Sequence, residues 1–485
     1  MSDTAAKKIT SNFIWRILER FAAQGVTFVL SIILARLLDP SVYGVVAIVT
    51  VFITIFQVFV DSGFGTALIQ KKDADDLDFS TVFFFNISAC GIMYAIIFLG
   101  APLIAAAYEI PELTDIIRVM GLTIIISGVK NIQQAYVSRN MLFKKFFFAT
   151  LGGTIGAACL GIALALAGFG VWALVLQSLF NNVVDTIILW ITVKWRPKLM
   201  FSWKRFKALY SFGWKLLASN LLNTIYNDIR QLLIGFVYST ESLAFYNKGH
   251  QFPKLVVDNV NSSIDSVLLP AMSKEQDSKD RVRQMTRRSI RISTYLIFPM
   301  MVGLAACAEP LIRILLTEKW LPCVFFLRIF CFTMAFYPIH AANLNAIKAM
   351  GRSDIFLKLE IIKKAIGITV LLATMWISVK AMAISLMFTT LIAGVINAFP
   401  NRKLLDYTIG QQLFDMLPTI ALAGAMGVAV YGISFLPIND FLTLVIQVPV
   451  GVIIYFVGSK IFKLDSFEYL WSMAKSMLVR KKKKV

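Results

Sequence analysis

Long apolar runs alternate with short polar ones from one end of the chain to the other. Most reach the ~20 residues that a helix needs to cross the ~30 Å hydrocarbon layer of a bilayer. The pattern predicts fourteen membrane-spanning helices, at 13 to 38, 43 to 66, 79 to 106, 114 to 137, 147 to 168, 170 to 193, 213 to 237, 250 to 271, 292 to 316, 323 to 347, 356 to 378, 380 to 400, 412 to 435 and 440 to 462. Pro40, the Gly168-Phe169-Gly170 turn and Pro437 punctuate them, as residues that break helices should. Two further segments, "WKRFKALYSF" from Trp203 and "FEYLWSMAKSMLVRKKKK" from Phe467, pair apolar with basic faces and read as interfacial helices.

Several spans carry polar residues at helical spacing. In the first, Arg16, Arg20, Gln24, Thr27 and Ser31 fall on one face. The seventh repeats the pattern with Lys215, Ser219, Asn223, Tyr226 and Arg230, and Asn227 lies beside them. The second span carries Thr50, Thr54, Gln57 and Asp61, and the eighth carries Lys254, Asp258, Asn261 and Asp265. A charge facing lipid at mid-membrane costs at least about 2.5 to 3.5 kcal/mol, so such stripes are expected to face protein or a watery cavity. Matched stripes in corresponding helices point to one shared cavity, cationic toward one end through Arg16, Arg20 and Lys215. Plainer readings stand beside this one. Arg16 and Lys215 are close enough to the interface to snorkel, Thr and Ser hydroxyls in spans often bond their own backbone, and Lys254 with Asp258 forms an i,i+4 pair that needs no role beyond structure.

Composition confirms the membrane class and removes others. Of 485 residues 58% are hydrophobic and 16% charged, and the mean hydropathy of +0.72 is far above that of a soluble domain. The net charge of +20 does not form a nucleic-acid patch, because the cations are distributed among short loops. The amino terminus, the loops after even-numbered spans and the tail hold 31 of the 48 Lys and Arg, while the opposite loops hold 2. The positive-inside rule then places both termini in the cytoplasm. The first run is long, internally charged and lacks a small-residue cleavage site, so it is expected to be a span and not a cleaved signal peptide. The five cysteines lie in apolar runs without histidines at ligand spacing, so no metal or other cofactor is expected. His250 and His340 read as packed core residues, and "KKDADDLD" (Lys71–Asp78) as a solvated loop with a helix cap. No Ser/His/Asp set or soluble catalytic domain is visible, which argues against an enzyme.

A weak internal repeat supports two halves. Trp15 and Trp214 align at an offset of 199, Pro102 and Pro310 at 208, and Ala173 and Ala381 at 208. Six spans separate the copies, so they enter the membrane the same way up, related by an axis along the membrane normal. The expected organisation is a first lobe at 1–200, a second at 201–411 that begins with an interfacial helix, a helix pair at 412–462 and a basic tail at 463–485.

"ILARLLDPSVYGVVAIV" (Ile33–Val49) and "DSGFGTALIQ" (Asp61–Gln70) resemble the signature of the polysaccharide-transporter family. That family belongs to the multidrug, oligosaccharidyl-lipid and polysaccharide exporter superfamily, and the chain is most similar to bacterial Wzx-type flippases of exopolysaccharide and lipopolysaccharide units. The resemblance implies an all-α integral membrane protein in which two six-helix lobes and an extra helix pair surround a central cavity. It also implies flipping of undecaprenyl-diphosphate-linked oligosaccharides across the inner membrane, with membrane lipids and polysaccharide polymerases or assembly proteins as partners. By position, Arg16, Arg20, Lys215 and Arg230 match the family's cavity cations for the diphosphate. Gln24, Gln57, Asn223, Tyr226 and Asn227 would bind sugar hydroxyls, and Asp61, Asp258 and Asp265 are candidates for ion coupling. Two rivals remain: a cation-coupled multidrug exporter of the same superfamily, which calls for an acidic cavity, and a membrane-bound polymerase or glycosyltransferase, which calls for a catalytic loop with paired acids.

Overall fold

The computed structural model describes residues 21–61, 64–71 and 73–482, and every regular element among them is helical. The helices are α1 (Phe21–Leu37), α2 (Pro40–Asp61), α3 (Phe64–Gln70), α4 (Asp76–Ala107), α5 (Leu113–Arg139), α6 (Phe143–Leu166), α7 (Val171–Thr192), α8 (Trp203–Val237), α9 (Thr240–Lys274), α10 (Lys279–Ala306), α11 (Ala308–Leu316), α12 (Cys323–Ala335), α13 (Tyr337–Ala349), α14 (Ser353–Thr374), α15 (Val379–Ala398), α16 (Asn401–Leu404), α17 (Ile409–Gly432), α18 (Asp440–Ile461) and α19 (Asp465–Lys482). Among the described residues nine stretches are long and apolar enough to cross a membrane. α5, α8, α9 and α14 are as long but more polar, which is what a helix with a hydrophilic face looks like to a hydropathy average. The outward surface is apolar: Leu103, Ile191 and Val428 are 75%, 75% and 76% exposed. Side chains of that kind in that number suit hydrocarbon and not water. The protein is a multi-pass, all-α membrane protein.

The chain forms two compact units that meet within α9, one ending at Ala244 and the other beginning at Phe245. In the first, α6 packs on α7, α4 on α5, α5 on α7, and α2 on both α5 and α8. At Gly44 of α2 the backbones come so close that a Cβ would lie 1.8 Å from the Thr240 carbonyl oxygen, so any larger residue would force the elements apart. In the second unit α10 packs against α12, α13 and α17, α14 against α15, and α17 against α18.

Local chemistry sets the helix ends. Asp75 accepts from the Asp78 N–H while the Asp78 carboxylate takes the Asp75 N–H, a reciprocal cap at the start of α4. Thr408 and Gln411 repeat the device at α17, and Ser202, Ser378 and Asn439 cap α8, α15 and α18. With Ser202 as cap and no breaker after it, the expected interfacial segment from Trp203 continues directly into the seventh span as one 35-residue helix. The ninth span also differs from expectation. It begins thirteen residues earlier, at Lys279, and ends at Ala306, where Cys307 separates α10 from α11. Of the five cysteines four are buried in packing, while Cys159 faces outward.

Candidate functional site

The Lys71–Asp78 segment is more than a solvated loop. Asp78 is fully buried and takes Lys71 Nζ at 2.6 Å and Arg205 Nη1 at 2.9 Å. Arg205 also reaches Asp75 at 3.2 Å, and Lys198 pairs with Asp76 at 2.7 Å, so the start of α8 is tied to the start of α4. Phe206 stacks on Phe64 and Trp203 beneath these charges. The Asp78 backbone N–H, and after it the charges of Arg205 and Lys71, hold the Asp75 carboxyl below its ordinary range. The carboxylates of Asp78 and Asp75 in turn raise Arg205.

Inside the first unit a polar network joins α2, α5 and α7. Lys130 of α5 pairs with Asp185 of α7 at 3.0 Å and donates to Asn182 Oδ1 at 3.3 Å. Their side chains are only 14% and 12% exposed, so this is an ion pair removed from bulk solvent. One residue along, Asn131 Nδ2 donates to Asp61 Oδ1 at 3.1 Å and to the Val60 carbonyl at 3.0 Å, which fixes the end of α2. Asp185 Oδ1 and Asn181 Oδ1 are buried without a hydrogen-bond partner, and buried oxygens of this kind are the usual seats of a water or an ion. The network thus offers a charge and vacant acceptors at one place.

The expected stripes are present as helix faces, with differing occupancy. On α8, Lys215, Asn223 and Asn227 are exposed, Tyr226 is half-buried and Arg230 is buried. Gln24 on α1 and Gln57 on α2 are half-buried, and Asp61 is exposed at the end of α2. The hydroxyls of the stripes are spent on their own helices: Thr50 and Thr54 each donate to a carbonyl one turn back at 2.7 Å, and Ser31 to Phe28 O at 2.9 Å. α8 packs along α2, so these two polar faces belong to one compact unit. Arg16, Arg20 and the Asp265 side chain lie outside the described residues. Asp258, in the second unit, is bonded by Lys254 at 2.7 Å. His250 packs edge-on against Phe330 as a core residue.

Sequence reasoning missed Asp185, Asn181, Asn182 and Asn131 and left Lys130 unassigned. The signal was present, since an acid and a base inside two apolar spans are each expensive alone. What the sequence lacked was the pairing, because Lys130 and Asp185 are 55 residues apart and no helical period links them. Among the described residues no group of His, Cys, Asp or Glu is arranged to hold a metal ion.

A family model described as "Polysaccharide biosynthesis protein" matches residues 33–325. The chain belongs to that family. Among its relatives, the teichuronic acid biosynthesis protein TuaB of Bacillus subtilis (strain 168) is 26% identical over 79% of this chain and 80% of its own length. The succinoglycan biosynthesis transport protein ExoT of Rhizobium meliloti (strain 1021) is 27% identical over 65% of this chain and 64% of its own length. The polysaccharide biosynthesis fold is also similar to that of the lipid II flippase MurJ in its inward closed conformation, with a TM-score of 0.72 over 94% of this chain and 98% of the other, at 15% identity. At that identity the likeness concerns the fold alone.

Proposed function

We propose that the protein is a flippase that moves undecaprenyl-diphosphate-linked oligosaccharide units across the bacterial inner membrane, for exopolysaccharide, capsule or lipopolysaccharide assembly. The family, the polysaccharide biosynthesis and transport roles named for its relatives, and the flippase-like fold support this reading. One observation carries the chemistry: α8 holds Lys215, Asn223, Tyr226, Asn227 and Arg230 on one membrane-length helix. A diphosphate bearing several sugars cannot enter hydrocarbon without replacing the water around its charges and hydroxyls. Lys215 and Arg230, with Arg16 and Arg20, supply charge-assisted donors to the diphosphate. Gln24, Gln57, Asn223, Tyr226 and Asn227 supply neutral donors and acceptors to the sugars. The prenyl tail stays in lipid, and transport proceeds by alternating access.

Both termini face the cytoplasm in this reading, the lobes divide as 1–200 and 201–411, and polysaccharide polymerases are the expected assembly partners. Asp61 is the favoured coupling carboxylate, because the Lys130–Asp185 pair and two unpartnered oxygens occupy the same unit. Asp258 and Asp265 remain coupling candidates on α9. A multidrug exporter of the same superfamily would need an acidic face in place of the α8 cations.

Reconstitution in liposomes with fluorescent lipid-linked oligosaccharides tests the proposal. Arg16→Ala together with Lys215→Ala should abolish most movement between leaflets, and Arg16→Lys should retain part of it by keeping charge while losing the planar fork. Unchanged movement in the double variant would show that the headgroup is held elsewhere.

A further inference from the structure

The first turns of α10 extend beyond the apolar part of that helix and carry a row of arginines beside the start of α19. A cavity of about 580 Å³ lies there, lined by Arg281, Arg287, Arg288, Arg291, Asp465 and Tyr469 among others. Two of the arginines are held rigidly from behind. Arg287 places Nε and Nη2 on Asp415 at 2.6 and 2.7 Å, and Arg291 bonds Asp415 at 2.5 Å and Asp465 at 2.7 Å. The Asp415 side chain is fully buried and also takes the Tyr407 hydroxyl at 2.8 Å, so its acceptor capacity is filled. Arg281 is held by Glu275 at 2.7 Å.

Arg288 is different. Its guanidinium lies 3.8 Å over the Tyr469 ring, and among the described residues no carboxylate or carbonyl takes its N–H groups. Four guanidiniums therefore meet three carboxylates, and the uncompensated one lines the cavity, oriented by stacking. The wall opposite belongs to α19, whose Phe467 and Trp471 stack on each other and meet Phe456 of α18 edge-on, with Trp471 more than half exposed. An amphipathic helix with an outward Trp and a run of lysines after it lies at the headgroup level of a bilayer.

We propose that this cavity binds a phosphate anion, and that its source is the headgroup of an acidic phospholipid. Arg288 supplies the free fork, Arg281, Arg287 and Arg291 supply the remaining N–H donors, and the lipid pins α19 to α10. The site is built wholly from residues of the second unit and does not depend on the transported substrate.

Full-length protein in neutral detergent is titrated with dioleoylphosphatidylglycerol, dioleoylphosphatidylcholine or glycerol 3-phosphate while thermal unfolding is followed. Phosphatidylglycerol should raise Tm, and phosphatidylcholine should not. Arg288→Gln, with the terminal lysines intact, should weaken the phosphatidylglycerol effect about tenfold, and Arg288→Lys should restore most of it. Because Arg288 makes only its stacking contact with Tyr469, the unliganded Tm of both variants should lie close to that of the parent. Equal responses to the two lipids, or a full response in Arg288→Gln, would overturn the site. Protection by glycerol 3-phosphate at the concentration where the lipid acts would overturn the membrane as its source.

Discussion

Two buried polar clusters, one in each compact unit, use different chemistry. The first holds a charged pair, Lys130 with Asp185, flanked by Asp61 and Asn131. The second holds neutral amides: Asn343 and Gln412 exchange hydrogen bonds at 2.9 and 3.1 Å, Asn401 adds a third at 2.7 Å, and Asn397 meets His340 at 3.4 Å. A desolvated ion pair is held together by attraction that vanishes for whichever partner is left alone, whereas an amide network loses one modest bond at a time. The contrast separates roles. The ion pair stores a charge that a proton or a cation could replace, and the amide network serves as a fixed joint among α13, α16 and α17.

The largest effect should come from halving the ion pair. Asp185→Ala leaves Lys130 buried without its counter-ion and should cost about 3 to 5 kcal/mol, seen as a large fall in Tm and in folded yield from membranes. Replacing both partners by apolar residues of similar size, Lys130→Met with Asp185→Leu, should restore most of that stability while leaving any ion dependence of transport abolished. If the single and double variants were equally unstable, the pair would not be the coupled unit described here. Asn343→Leu should cost less, about 1 to 3 kcal/mol, because Gln412 and Asn401 each lose a neutral partner and no charge is exposed. Flipping in Asn343→Leu, scaled to the amount folded, should match the parent. A loss of transport without a loss of stability would move the second interior into the transport path and erase the contrast.

Helix content and most helix positions were legible because apolar length is a one-dimensional property. Most predicted spans overlap a single helix, but the ninth is divided between α10 and α11 and the tenth between α12 and α13, the first is described only from Phe21, and α5, α8, α9 and α14 are more polar than hydropathy alone would select. The stripe on α8 was legible for the same reason, since one helix fixes which residues share a face. Two kinds of feature were not. Where a helix stops depends on caps and contacts, so the joining of Trp203–Phe212 to the seventh span and the break at Cys307 came only with the structure. Pairings between helices carry no period, which hid Lys130 with Asp185, and also hid the burial of Asp78 inside a segment that reads as a solvated acidic loop.

That acidic segment gives the smallest and most selective test of how these units treat charge. Asp75 does two jobs, capping α4 through the Asp78 N–H and facing Arg205 at 3.2 Å. Asparagine caps a helix about as well as aspartate, so Asp75→Asn removes the charge and keeps the cap. The folded-state pKa of Asp75 is depressed, so its ionic contribution is present above the ordinary carboxylate value of about 3.9 and is lost as pH falls through the lower folded value. Thermal unfolding at pH 7 should therefore show a small deficit for Asp75→Asn that closes as pH is lowered toward 3. The Asp185→Ala deficit is of a different kind, because the buried lysine keeps its need for a partner over the same range. A gap at Asp75 that persisted in acid would mean that the side chain acts through its shape alone, and the link between α4 and α8 would then rest on Asp78, which Lys71 and Arg205 grip together.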